Sequence, residues 1–328
     1  MELRTTFDIA ASADKITYFD PVIFIGSCFA KAIGKKLEMG HMPVLINPAG
    51  TVYNPISVCN TLDSITGGKK YGKDDLYNFQ GTWLSFNHYT NFSSDDPEEV
   101  LSRINSAADA AGRFLSGARF MFITFGTARI YRRKQSGEIV SNCHKMPSAF
   151  FTNELLKVDD ILVLWERHLD WLNTHYPRLK IVFTISPVRH WKDGAHGNQI
   201  SKSVLFLAVE KLLEHHSKPG YFPAYELVMD DLRDYRYYDD DMLHPSSSTV
   251  NYLWEKFSEC YMDEKTRGLW NDVARVTKSY NHRLTGGSAS KRKEFAELML
   301  KRIADIENKI TLIDLSVEKN YFLKILEY

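Results

Sequence analysis

The chain has 328 residues, 44% hydrophobic and 25% charged, an ordinary globular composition long enough for one large domain with additions. Lys+Arg and Asp+Glu are 41 each, so the net charge is zero and nothing draws the whole chain toward nucleic acid or an anionic membrane. No apolar run nears the roughly 20 residues needed to span a bilayer, the charged start carries no secretory apolar core, and Cys28, Cys59, Cys143 and Cys260 form no CxxC pair, so a cytoplasmic location with reduced thiols is expected and zinc or redox chemistry is not.

In chain order, Pro21 to Ile25 is a short apolar run ending in Gly26-Ser27, the signature of a buried parallel strand. Phe29 to Leu37 follows with helical spacing, and strand, tight turn and helix open a doubly wound sheet. Val44-Leu45-Ile46 predicts a second strand, Asn47 to Gly50 a loop, and Ile56 to Leu62 a helix. Residues 65–95, rich in Gly, Tyr, Trp, Asn and Asp, read as an insertion of loops or short strands. Asp96-Pro97-Glu98-Glu99 opens a helix, and Arg119 to Phe125 predicts a third strand closed by Gly126-Thr127. A helix capped by Thr152 or Asn153 runs to about His175, Leu179 to Ile185 is a fourth strand, and Asn198 to His216 a helix. Tyr221 to Val228 contains a weaker fifth strand interrupted by Pro223. Asp239 to Ser248 is a polar loop before a helix from Thr249. Beyond Glu264 the pattern is helical and more charged, broken at Thr285 to Ser290. The alternation predicts an α/β fold, with a domain over 1–264 and a helical extension over 265–328.

In open α/β sheets, ligands sit beyond the carboxyl ends of the strands, where Gly26-Ser27-Cys28, Asn47 to Asn54, Gly126-Thr127 and Ser186 to Asn198 converge. Ser27 stands at a strand-to-helix turn, either as a nucleophile beside a helix N-terminus or as a simple N-cap. Asp241 lies three residues before His244 and can hold its imidazole in one tautomer, leaving the other nitrogen as a base; the alternative is a solvated acidic loop. Cys28 is a rival nucleophile or a small packed residue. His190 and His196 could pair on a metal, but no carboxylate or cysteine completes the set. His144, with Asn142 and Lys145, is a candidate substrate contact or a loop anchor. Arg189 and Lys192 suit an anionic substrate or a solvated face. Trp83, Phe86, His88, Tyr89 and Phe92 form either a sugar-binding wall or packing for the insertion.

Phe24 to Ala30 contains the sequence GSCFA, and the chain resembles the GSCFA domain family that this signature names. Asp241-Met242-Leu243-His244-Pro245 resembles the Asp-x-x-His block of SGNH/GDSL-type hydrolases, of which the GSCFA family looks like a branch. Asn47 to Pro55, Asn142 to Lys145, Ser186 to Arg189 and Leu232 to Tyr235 look like further family blocks, and the resemblance runs from about residue 20 to 260. It implies a three-layer α/β/α sandwich with a mostly parallel sheet, and a Ser27-His244-Asp241 triad. It implies oxyanion donors at the Ser27 N–H and Gly50, with Thr127 or Asn142 where the superfamily has an asparagine after the third strand. Asn47, Tyr53, Asn54, His144, Lys145 and Arg189 are the expected substrate contacts. No cofactor or metal is called for. The expected activity is that of a serine esterase on a small-molecule or carbohydrate ester, with acyl transfer by the same triad, or a binding module on an inactive scaffold, as alternatives.

Overall fold

The computed structural model of the protein describes residues 4–282 and 288–327. Strand β1 (Val22–Gly26) leads through Ser27 into helix α1 (Cys28–Met39), and β2 (Val44–Ile46) into α2 (Pro55–Ile65). Asn54 caps α2 by accepting the Ser57 N–H, with Pro55 at the first helical position, where a missing N–H costs nothing. A hairpin of β3 (Tyr77–Phe79) and β4 (Thr82–Leu84) occupies the expected insertion. Helix α3 (Pro97–Gly117), capped by Asp96, precedes β5 (Phe120–Phe125). Then come β6 (Arg129–Arg133), β7 (Ile139–Val140) and β8 (Phe151–Leu155), helix α4 (Val158–His175), β9 (Lys180–Ile185) and α5 (Gly194–His215). The two-residue β10 (Gly220–Tyr221) and short α6 (Ala224–Glu226) precede α7 (Ser247–Tyr261), α8 (Glu264–Asn281), α9 (Ala289–Lys309) and α10 (Ser316–Glu327).

The central sheet has the order β10-β9-β5-β1-β2, and β1–β5, β5–β9 and β9–β10 pair in parallel. Side chains alternate across it. Ile23, Ile25, Met121, Ile123, Ile181 and Phe183 join a core with Leu62 of α2, Leu115 of α3, Trp165 of α4 and Leu205 of α5. On the opposite face Phe24, Phe122 and Phe120 stack, with centroids 5.0 and 6.1 Å apart. There α1 approaches so closely that a Cβ on Gly34 would lie 2.8 Å from Ile46 and 3.4 Å from Phe24. Helices on both faces explain why these strands are buried at every position rather than at alternate ones, and they make the fold the three-layer α/β/α sandwich expected.

Two elements differ from expectation. Phe151–Leu155 is a strand, and the helix assigned to Thr152 or Asn153 begins only at Val158. Residues 151–155 pair with β6 and complete a second, antiparallel sheet of order β7-β6-β8, so a ladder outcompetes the local cap. The fifth strand is reduced to Gly220–Tyr221. Phe222 still donates to Phe183 O at 2.9 Å, but Pro223 has no N–H to continue and the chain turns into α6. The predicted break at Thr285 to Gly287 lies outside the described residues, and Ser288 caps α9.

The chain divides into two compact units. One holds the described N-terminal residues up to Asp8, Val22–Gly34 and Leu45–Leu253; the other holds Ile9–Pro21, Lys35–Val44 and the chain from Trp254. Within the second, Trp270 Nε1 donates to Lys36 O at 2.8 Å, its ring lies 4.7 Å from that of Trp254, and His41 bonds Glu318 at 2.9 Å.

Candidate active site

The site begins at Gly26. Its φ is +142°, and a Cβ there would lie 2.2 Å from Thr124 O on the neighbouring strand, so only glycine fits. Its N–H donates to Asn47 Oδ1 at 2.8 Å, which fastens the end of β1 to the loop after β2. Ser27, 1% exposed, follows with its N–H 3.3 Å from Thr124 O and its Oγ accepting the Phe29 N–H at 3.3 Å. The capping reading of Ser27 is therefore real, and it uses only a lone pair. The hydroxyl proton has no protein acceptor among the described residues.

Ser27 lines a cavity of about 610 Å³ whose wall also includes Tyr53, Asn54, Thr127, Asn142, His190 and His244. His244 arrives on a loop closed by an isolated bridge between Tyr238 and Pro245 and by Asp239 N donating to His244 O at 2.8 Å. Met242 takes a left-handed φ of 57° in this turn. Asp241 Oδ1 accepts the Leu243 and His244 N–H groups, each at 2.9 Å, and Oδ2 lies 2.5 Å from His244 Nδ1. The His244 and Leu243 bonds pull the Asp241 carboxyl down to about 2, so it remains an anion across the physiological range. With Nδ1 directed at that carboxylate, Nε2 of His244 is the nitrogen without a protein partner among the described residues. The spacing of three does its chemistry locally, since one carboxylate ties both the turn and the ring.

His190 lies deeper. Its ring stands edge-on to Tyr53 at 5.4 Å, and its main chain is held by Asn198 Oδ1 at 2.9 Å. Burial, then the charges of Lys202, His244 and Lys192, lower it to about 4, which keeps it neutral. A Cβ on Gly126 would meet His190 Nε2 at 3.1 Å and Tyr53 O at 3.2 Å, so this glycine lets the end of β5 pass beneath the ring. Tyr53 O accepts both the Gly126 and Thr127 N–H groups, at 2.7 and 3.0 Å. Burial, then Cys28, pushes the Tyr53 phenol well above its usual range, and the Cys28 thiol lies 3.9 Å from its Oη.

Several expected residues stand elsewhere than the sequence suggested. Asn47, Gly50 and His144 are absent from the cavity wall. Asn47 serves Gly26, and the Gly50 N–H is committed to Asn47 O at 2.8 Å. His144 Nε2 is bonded to Ser85 O at 2.9 Å, the loop anchor of the two readings. Thr127 lines the wall, but its N–H is taken by Tyr53 and its hydroxyl lies 2.9 Å from Ser201 Oγ while accepting the Arg129 N–H. Asn142 also lines the wall; its Oδ1 holds the His144 N–H and its Nδ2 reaches Thr90 Oγ1 at 3.4 Å. Tyr53, Asn54, Lys145 and Arg189 line it too. Of the aromatic cluster, only Tyr89 reaches the cavity. Phe86 packs against Leu84, Val140 and Phe151, and Trp83 and Phe92 against Tyr71 and Val100, so packing accounts for them. His196 is exposed, and no group of three metal-ligating side chains occurs among the described residues.

Sequence reasoning missed Lys202. It is 1% exposed, and its Nζ donates to Gly126 O at 2.7 Å and Ser186 O at 2.6 Å, joining the ends of β5 and β9. Burial, then the Arg189 charge, holds its ammonium well below the usual lysine range. The signal was present, because Lys202 falls on the buried stripe Asn198, Ser201, Leu205, Ala208, Leu212 of α5, where a cation needs a reason.

No helix among the described residues is long and apolar enough to cross a membrane. No curated protein matches the chain. Among solved structures, it is similar to a Streptococcus pneumonia protein provisionally named as a platelet activating factor, at 12% identity and TM-score 0.39 over 73% of this chain and 83% of that one. It is also similar to a carbohydrate esterase family 3 structure from Talaromyces cellulolyticus, at 9% identity and TM-score 0.34 over 77% and 99%. An acetyl xylan esterase, Est2A, from the rumen bacterium Butyrivibrio proteoclasticus matches at 11% identity and TM-score 0.35 over 74% and 66%. Scores this low assign no activity. A family match covers residues 21–257, from the first strand of the central sheet to beyond His244. The chain belongs to the GSCFA family.

Proposed function

We propose that the protein is a serine acyl hydrolase of the SGNH type acting on esters, with Ser27 as nucleophile, His244 as base and Asp241 as the group that orients it. One observation carries this reading. An unaccepted serine hydroxyl proton and an unpartnered imidazole nitrogen, backed by a carboxylate, line the same cavity beyond the carboxyl ends of parallel strands. Ser27 Oγ attacks the acyl carbon as His244 Nε2 takes its proton. The C–O bond of the ester then breaks, and His244 returns the proton to the departing alcohol. Water, deprotonated by His244, attacks the acyl-Ser27; the bond from Ser27 Oγ to the acyl carbon breaks, His244 returns the proton to Oγ, and the acid leaves.

The developing oxyanion needs donors, and most of the expected ones are committed. The loop after β2 offers others. Asn54, 6% exposed, keeps Oδ1 on the Ser57 N–H, and its Nδ2 has no protein partner among the described residues. The Thr51 N–H is likewise free, and both residues line the cavity. We assign the oxyanion site to these two with the Ser27 N–H, whose 3.3 Å bond to Thr124 O is long. Tyr89 and Trp191, exposed rings in the wall, suit a carbohydrate carrying the ester.

The test uses a short-chain p-nitrophenyl ester and a fluorophosphonate probe. The wild type turns over the ester and is labelled at Ser27, while Ser27→Ala and His244→Ala lose on the order of 10³-fold or more in kcat. Equal rates in all three proteins, or labelling elsewhere, overturn the assignment.

A further inference from the structure

The chain as a whole is neutral, but its cavity is not. Four permanent cations stand in the wall, Arg129, Lys145, Arg189 and Lys192, against one carboxylate, Asp193. That carboxylate lies 3.5 Å from Arg129. Lys145, Arg189 and Lys192 have no carboxylate partner among the described residues. His190 adds no charge at neutral pH. The buried Lys202 side chain, held by two main-chain carbonyls and lying 5.7 Å from the Tyr225 ring centroid, lies behind the same wall.

Arg189 is the centre of this excess. Its Nε is buried and makes no hydrogen bond, and its guanidinium carbon lies 5.0 Å from the Trp191 ring centroid. A planar fork with an unmet buried donor, braced on an indole, is built to receive an oxyanion bidentately. The segment carrying it is anchored rather than loose, because Asn198 holds the His190 N–H and Lys202 holds Ser186 O. Low-dielectric walls focus the field of such uncompensated charges into the cavity, and an anionic ligand is what would offset it.

We infer that the substrate carries a fixed negative charge, a carboxylate or phosphate, besides the ester, and that Arg189 with Lys192 and Lys145 binds it. The inference rests on the esterase reading for the word substrate; the anion subsite itself does not depend on turnover.

Two measurements separate these. In the first, phenyl acetate is compared at low ionic strength with 3-carboxyphenyl acetate and monophenyl succinate, which place the charge on the alcohol and acyl sides. At least one anionic ester is expected to exceed the neutral one roughly tenfold in kcat/KM, with the ratio collapsing in Arg189→Gln and falling in Lys192→Gln. A neutral ester preferred over both, or a ratio unchanged in both variants, overturns the inference. In the second, inorganic phosphate is titrated against Ser27→Ala protein and the thermal midpoint followed. Phosphate is expected to raise it in Ser27→Ala and not in the Ser27→Ala, Arg189→Gln double variant. If no ester is hydrolysed but this difference holds, the esterase reading fails and the subsite stands. If Ser27-dependent hydrolysis shows no charge preference and phosphate gives no shift, the subsite fails alone.

Discussion

Asn54 does two things with one amide, and they can be separated by a single atom. Its oxygen caps α2, while its nitrogen, without a protein partner among the described residues, is the one proposed to meet the oxyanion. Aspartate is as good a cap as asparagine but has no N–H to give. Asn54→Asp is therefore expected to unfold in urea within about 1 kcal/mol of the wild type while losing on the order of 10²–10³-fold in kcat. Asn54→Ala is expected to lose both the cap and the rate. An active Asn54→Asp would move the oxyanion site elsewhere. At Gly26 a close approach, not a reaction, dictates the residue. The Thr124 carbonyl leaves no room for a side chain, and this places Ser27 where β1 turns into α1. The GSCFA signature therefore holds the proposed nucleophile beside a residue that is sterically compelled.

At the scale of elements, the cavity floor depends on β5 and β9 ending together, and Lys202 of α5 binds both ends. Burying an ammonium is costly, so the sign of its removal is not obvious. Two short charge-assisted bonds decide it, because Lys202→Met would leave the Gly126 and Ser186 carbonyls facing a methyl group. At about 1–3 kcal/mol for each unmet buried polar group, offset in part by relief of desolvation, Lys202→Met is expected to lose roughly 2–4 kcal/mol. Urea unfolding checks this, and a variant as stable as the wild type would mean the carbonyls find other donors. Phe151–Leu155 became a strand because β6 offered it a ladder, and the stretch after Tyr221 became helical because Pro223 could not extend one.

Across the molecule, the groups around His244 make a definite pH dependence. Asp241 is drawn down by hydrogen bonds from its own turn, so its stabilising contribution is present above the normal carboxylate range and is lost as pH falls through about 2. His190 is drawn down by burial and stays neutral until about pH 4. Above pH 5 neither changes state, so neither is expected to shape the pH dependence of kcat/KM for a neutral ester above that pH. NMR titration of the His190 imidazole checks this, and protonation of that ring above pH 5 would overturn it.

The layer order and the two loops that bear Ser27 and His244 were legible in the sequence, because each depends on local spacing: strand runs apolar throughout, a glycine before a serine, a carboxylate three residues before an imidazole. The antiparallel sheet of β6, β7 and β8 was not, because a ladder is decided by a partner strand rather than by propensity. Nor was the division of labour within the loop after β2. Asn47 and Gly50 are consumed in holding β1 and the turn, while Thr51 and Asn54 keep donors without a partner among the described residues. A sequence names the groups able to hydrogen-bond. Which of them remain unbonded, and which cations lack a counter-charge, is settled only when distant segments meet, since satisfaction is a property of the folded neighbourhood.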